Sequence, residues 1–264
     1  MRNVIGIDAA WTIREPSGVA LVEEMATGWR LVSVAPSYRA FYDLAPGDEV
    51  LDDGPSDYWP KPRRLLNTAH RLSGGRVQII AVDMPLANSA ITGRRVSDDA
   101  VSRAYGARHC GTHSPNVIRP GPISRQLSQG FTDEGYPLST ASLSLPGVIE
   151  VYPHPALVEL ARSPRRLPYK LAKIRAYWRD QSPAVRKSLL LGEWSRIVDL
   201  LEERIIGVRA ALPALPVHAP RKALKGYEDQ LDAVVCAWVA VCALEDRAEP
   251  YGDQDSAIWI PTEL

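Results

Sequence analysis

Hydrophobic and polar positions change period several times along this chain, and each change marks an element. Asn3 to Asp8 is an apolar run closed by an acid. Gly18 to Val22 and Trp29 to Val34 are two more short apolar runs, set off by the turn residues Pro16-Ser17-Gly18 and Thr27-Gly28. Together they predict an antiparallel meander. Residues 36–60 then carry Asp43, Asp48, Glu49, Asp52, Asp53 and Asp57 with no Lys or Arg after Arg39, the composition of a solvated loop. Lys61 to Ser73 is the next predicted helix, stopped by Gly74-Gly75. Val77 to Val82 is apolar without alternation, as in a strand buried on both faces.

Periodicity fades over residues 86–146, where Gly, Pro and Ser are frequent and only Ser97 to Tyr105 has a helical pattern. This segment is an insertion. Val148 to Tyr152 is a further strand, closed by Pro153-His154-Pro155. Residues 155–225 form a helical elaboration, with helices over Ala156 to Ala161 and Tyr169 to Arg179. A longer helix follows, opened by the cap pair Ser182-Pro183. Its apolar Ile197, Leu200, Leu201, Ile205 and Val208 recur at three and four, and Pro213 and Pro216 stop it. A very apolar helix over Tyr227 to Asp246 and a short strand, Ala257 to Ile260, close the chain. Strands first, then strands alternating with helices, predict one α/β domain over residues 1–264: a mixed sheet with helices on its faces.

Composition narrows the function classes. The 264 residues are 45% hydrophobic, enough for a sizeable core, and the net charge is zero, so no global field draws in a polyanion. Binding of nucleic acid would have to use local patches. The start, Met1-Arg2-Asn3-Val4, is charged too early for a signal peptide, and no apolar stretch nears the roughly 20 residues of a membrane span. A cytoplasmic protein without membrane partners is expected. The three cysteines cannot all pair, and Cys236 and Cys242 fall in the apolar helix as small core residues. His109, Cys110 and His113 lack a second ligand pair at zinc-site spacing.

The candidate chemistry is acidic. Asp8 and Asp83 each close an apolar strand, and adjacent parallel strands set such residues side by side at the edge where α/β sheets bind ligands. Asp229 and Asp232 are three apart, hence on one face at the head of the apolar helix. Like charges at about 4 Å repel by roughly 4 kcal/mol at an effective dielectric near 20. A divalent ion relieves that repulsion, and Mg2+ or Mn2+ prefers such oxygen donors. Two ions would activate a water and stabilise the leaving oxygen of a phosphodiester. Each acid alone also has an ordinary explanation as a turn, cap or first-turn residue. Glu150 and His154 flank the end of the fifth predicted strand and are further candidates, His154 for proton transfer or phosphate binding.

The segments Ile5-Gly6-Ile7-Asp8-Ala9-Ala10-Trp11, Ala81-Val82-Asp83-Met84-Pro85-Leu86, Ile149-Glu150-Val151-Tyr152-Pro153-His154-Pro155 and Leu231-Asp232-Ala233 resemble an uncharacterised family of predicted nucleases with an RNase H-like fold. So do Gly93-Arg94-Arg95-Val96-Ser97-Asp98-Asp99 and the ending Ala257-Ile258-Trp259-Ile260-Pro261. The resemblance spans nearly the whole chain. It implies a five-stranded mixed sheet with flanking helices and kinship with Holliday-junction resolvases. In those enzymes a strand-one Asp, a second strand-end acid and two acids on the last helix bind the metals. By position these are Asp8, Asp83, Asp229 and Asp232. The resolvases usually have Glu at the second of these positions, where this chain has the shorter Asp83.

Basic residues supply the expected substrate contacts. Arg162, Arg165, Arg166, Lys170, Lys173, Arg175, Arg179, Arg186 and Lys187 face only Asp180 over that stretch, with Tyr169, Tyr177 and Trp178 interleaved. That mixture suits a phosphate backbone and stacked bases, and equally a solvated helix face. Arg94 and Arg95 in the insertion, Lys170 and Lys173, and Lys225 just before the acidic helix are the named candidates. The leading expectation is therefore a metal-dependent nuclease acting on DNA or RNA. One alternative is a non-catalytic nucleic-acid-binding module of the same fold. The other is an actin-like ATPase or phosphotransferase, which shares the opening strand-Gly-x-Asp pattern but normally needs a second Gly-rich phosphate loop and a duplicated domain. The chain has neither.

Overall fold

The computed structural model describes residues 2–12, 14–47 and 59–262, and all its strands lie in one sheet. These are β1 (Asn3–Asp8), β2 (Gly18–Met25), β3 (Gly28–Ala35), β4 (Val77–Val82), β5 (Gly147–Val151), β6 (Ile205–Ile206), β7 (Ala248–Gly252) and β8 (Ala257–Pro261). Their order is β6-β3-β2-β1-β4-β5-β8-β7. The sheet is mixed: β1, β4, β5 and β8 run parallel, while β2 is antiparallel to both its neighbours and β7 antiparallel to β8.

The expected five strands are thus corrected to eight among the described residues. The first five in the chain do lie together as β3-β2-β1-β4-β5; β6 extends one edge, β8 and β7 the other. The additions were hidden for physical reasons. Ile205-Ile206 sits inside a helical spacing, but the helix ends before it and Gly207, at φ 95°, turns the chain. β7 contains Glu249 and Pro250, a composition tolerated only at an edge.

Helices cover both faces. They are α1 (Tyr38–Tyr42), α2 (Pro62–Ser73), α3 (Val96–Tyr105), α4 (Pro122–Asp133), α5 (Pro153–Leu160), α6 (Ile174–Tyr177), α7 (Pro183–Glu202), α8 (Val208–Ala211) and α9 (Arg221–Leu244). The insertion therefore holds a second helix, α4, that its Gly- and Ser-rich sequence disguised. The predicted helix over Tyr169 to Arg179 reduces to a 3-10 turn at Leu171–Lys173 and the single turn of α6. Residues 48–58 of the acidic loop lie outside the described residues.

Strand residues sort by alternation. Val4, Ala20, Val22, Ile79, Ala81 and Ile149 pack with α5, α7 and α9. Ile5, Ile7, Leu21, Ile80, Val82 and Val148 pack with α1, α2 and α4. Helix α9 is buried all round from Leu231 to Ala243 and lies directly on β1 and β2. Two glycines permit that approach: a Cβ on Gly6 would sit 2.1 Å from the Ala233 carbonyl oxygen, and one on Gly18 2.1 Å from that of Asp229. No helix among the described residues is long and apolar enough to cross a membrane.

Candidate active site

The close contact of α9 with β1 and β2 decides which acids meet. Asp8 ends β1 opposite Gly18, and Asp229 and Asp232 lie on the helix that Gly18 admits. Ile7 pairs with Val82, and the Asp83 amide donates to the Ile7 carbonyl at 2.9 Å, so Asp83 extends β4 beside Asp8. Asp8 and Asp83 both continue the alternation that faces α9, with Val4 and Gly6 on one strand and Ile79 and Ala81 on the other. The structure thus brings Asp8, Asp83, Asp229 and Asp232 to one corner of the sheet.

Electrostatics record the convergence. Burial and then the Asp232 charge push the Asp8 carboxyl well above the usual range, with Lys170 opposing and Asp83 and Asp229 adding to the rise. Asp83 is pushed up to about 7, first by burial, with the Asp232 and Glu150 charges adding to it and Lys170 and Lys225 opposing. Asp229 is raised by burial too, against the pull of Lys225, and it comes within hydrogen-bonding reach of Asp8. Two ammonium groups answer these charges. Lys170 pairs with Asp232, whose other oxygen accepts the Tyr169 hydroxyl at 2.8 Å. Burial alone would lower the Lys170 ammonium, but Asp232 and the neighbouring anions hold it well above its ordinary value. Lys225 pairs with Asp229 and, at 3.0 Å, with Glu228, and the second Glu228 oxygen accepts the Leu171 amide at 2.5 Å. Lys170 and Lys225, expected to meet substrate, thus sit within the acidic cluster itself.

Glu150 does not join that cluster. It is one residue out of phase with Ile149 and so points to the other face, where Arg95 grips it with two bonds of 2.6 and 2.8 Å. Arg95 also holds Asp98 at 3.0 Å and donates to the Leu86 carbonyl at 2.7 Å. Glu150, Arg95 and Asp98 are all buried, so this is a satisfied internal ion network bracing the start of the insertion. Counting alternation outward from Ile149 is the sequence signal that separates Glu150 from the other acids. Arg94 is likewise engaged, by Asp99, Ser102 and Ser114. Lys173 is exposed. His154 is buried beside Tyr152 and Tyr169, and burial, with the Lys170 and Arg166 charges, holds its imidazole well below the ordinary value.

The fit to a divalent ion is one of chemistry. Four hard carboxylates converge, and Asp229 Oδ2 is buried without a hydrogen-bond partner, a lone pair with nothing to accept. As the side chains stand, no three His, Cys, Asp or Glu residues among those described form a group able to hold a metal ion. Asp229 and Asp232 are turned onto the two ammonium groups instead. Next to Asp83 opens a small cleft of about 50 Å³ whose walls include Trp11, His113 and Tyr152. Trp11 and Tyr152 had no assigned role in the sequence, and nothing in their spacing marks them.

The raised carboxyls make stability depend on pH. A carboxyl that ionises near pH 7 when folded and near pH 4 when unfolded (about 3.9 in model peptides) binds its proton more tightly in the native state. Its contribution therefore favours the fold below about pH 4, declines as the pH rises toward about 7, and is flat above that. In chelator, Asp83→Asn is expected to gain stability relative to the wild-type chain across that window and to hold a constant advantage beyond it. Urea unfolding at a series of pH values measures the difference; a difference that does not vary with pH would contradict it.

Comparison with known families places the chain. It belongs to DUF429, a protein family of unknown function, whose model matches residues 6–257. No curated protein and no solved structure matches it.

Proposed function

We propose that this DUF429 member is a metal-dependent nuclease, hydrolysing phosphodiester bonds of nucleic acid with an RNase H-like arrangement of acids. The observation that carries the reading is the meeting of Asp8, Asp83, Asp229 and Asp232 at the carboxyl ends of β1 and β4 and on α9. These acids are close enough that mutual repulsion and burial raise three of them above the usual carboxylate range. Clusters of perturbed acids in a cleft are where acid–base and metal chemistry concentrate. The central run β3-β2-β1-β4-β5 supports the RNase H-like reading of the sheet. Asp8, Asp83, Asp229 and Asp232 would hold Mg2+ or Mn2+, with Lys170 and Lys225 displaced toward the substrate. The ion, when bound, lowers the pKa of a water and neutralises charge on the phosphate. The chain's own residues align the backbone, Tyr169 orienting Asp232 and the buried Arg95–Glu150 pair fixing the loop beside Asp83.

The test is cleavage of labelled single-stranded, duplex, hybrid and branched substrates by purified protein in Mn2+ or Mg2+, with chelator as control. Metal-dependent cleavage of at least one substrate is expected, and none on any of them overturns the reading. One observation favours a second reading, a non-catalytic nucleic-acid-binding module: Lys170 and Lys225 already neutralise two of the carboxylates without a metal. Binding that is equal with and without chelator, in the absence of cleavage, would support it.

A further inference from the structure

The N-terminus of α5 opens at the same edge of the sheet, one strand beyond Asp83, and it is unusually poor in partners. No side chain caps it. Pro153 and Pro155 carry no N–H, and the Ala156 amide reaches back to the Tyr152 carbonyl only at 3.5 Å. His154, in this first turn, is 6% exposed, and its Nδ1 is buried with no hydrogen-bond partner. Tyr152 and Tyr169 hold the ring edge-on, with centroids 5.2 and 5.3 Å away.

Arg166 stands nearby in the same condition. Its backbone amide is fixed to the Arg108 carbonyl at 2.8 Å, its Nε is buried without a partner, and no carboxylate among the described residues pairs with it. Its charge acts on both the His154 ring and the Tyr152 hydroxyl, as does that of Lys170, and Asp83 acts on Tyr152 from the cleft side. Two orphaned side-chain nitrogens and a guanidinium without a counter-ion among the described residues share one unmet need, an acceptor-rich anion, and the two prolines leave the His154 amide as the donor of that helix turn.

We propose that the N-terminus of α5, with His154 and Arg166, is an anion subsite that holds one phosphate group of the substrate beside Asp83. The proposal rests on the nuclease reading for the identity of its ligand. Arg166 grips the phosphate oxygens with its planar fork, and His154 Nδ1 and the His154 backbone amide in the first turn of α5 complete the cradle. The phosphate held there is a non-reacting neighbour of the one at the carboxylates, so the subsite fixes the register of the strand.

Binding in chelator, where no hydrolysis occurs, tests this separately from the nuclease reading. A short single-stranded oligonucleotide and inorganic phosphate are titrated into wild-type protein, Arg166→Ala and the exposed control Arg76→Ala, at the opposite end of β4 from Asp83. The side-chain nitrogen signals of His154 are followed by NMR. The oligonucleotide is expected to shift His154 in the wild-type chain, and Arg166→Ala to weaken its binding about tenfold, the worth of one hydrogen-bonded charge. Arg76→Ala should bind as the wild type does. Unchanged binding in Arg166→Ala, or an oligonucleotide that leaves His154 unshifted, overturns the proposal. Should Arg166→Ala not fold, the wild-type His154 shift alone decides it. Saturation by inorganic phosphate with no response to the oligonucleotide would overturn the substrate assignment. Binding that depends on Arg166 in a protein that cleaves nothing would retire the nuclease reading and keep the subsite.

Discussion

Asp8→Asn is expected to melt at a higher temperature than the wild-type chain in chelator, while losing at least about a thousandfold in metal-dependent cleavage. The two effects have one origin. Asp8 is desolvated and faces Asp232, Asp83 and Asp229, so its ionised form is disfavoured in the folded protein. An amide of the same shape carries no charge to repel and can donate to Asp229, which comes within hydrogen-bonding reach of residue 8. The cost that the carboxylate imposes on the resting fold is then removed. The same substitution deletes an anionic donor from the proposed ion site, and several kcal/mol of transition-state stabilisation corresponds to a thousandfold or more in rate. Asp232→Asn should lose as much activity without the gain in stability. It leaves the half-buried Lys170 ammonium without its partner, and the Tyr169 hydroxyl with a weaker acceptor. Paired melting and single-turnover measurements on the two variants check this. If Asp8→Asn kept wild-type cleavage, or lost stability as Asp232→Asn does, the carboxylates would be a structural network and the metal site would fail.

The legible part of this molecule is the part whose side-chain pattern and backbone geometry agree. The apolar runs ending at Asp8 and Asp83 are strands β1 and β4, their parallel pairing puts the two acids side by side, and the spacing of Asp229 and Asp232 puts both on the buried side of α9. Those were readable because a continuous apolar run has few alternatives in a mixed sheet. Three things were not. Ile205-Ile206 continues a helical spacing, so a two-residue strand inside it leaves no trace until Gly207 turns the chain. Glu150 looks like a third strand-end acid, but its place in the alternation turns it onto Arg95, a partner 55 residues away. Lys170 lies 62 residues from Asp232, and only the fold reveals that a cation expected at the substrate is the counter-charge of the site. Pairings this remote in sequence are set by tertiary packing, which local pattern does not encode.

Gly6→Ala is expected to be among the most damaging single-methyl changes in the protein, lowering the melting temperature by about 6 to 12 °C, from an overpacking cost near 3 kcal/mol at roughly 2 to 4 °C per kcal/mol for a chain of this size. The new methyl would meet the Ala233 carbonyl oxygen at 2.1 Å, the Ala237 amide nitrogen at 2.3 Å and the Ala237 Cα at 2.9 Å. All three are backbone atoms of α9, so no rotamer change relieves the contact and the helix itself must lift. Because Gly6 lies two residues before Asp8 on the face that α9 covers, lifting the helix also carries Asp229 and Asp232 away from Asp8. The folded fraction of the variant should therefore lose cleavage as well as stability. A glycine substitution without a neighbour gives the contrast. Gly192 is exposed within α7 and a Cβ there meets nothing within 4 Å, so Gly192→Ala should stabilise by about 0.5 to 1 kcal/mol through helix propensity alone. Thermal melts of the two variants, with activity measured on material shown to be folded, separate the effects. A Gly6→Ala protein as stable as the wild type would mean that α9 does not rest on β1 this closely, and the meeting of the four aspartates, which depends on that contact, would fall with it.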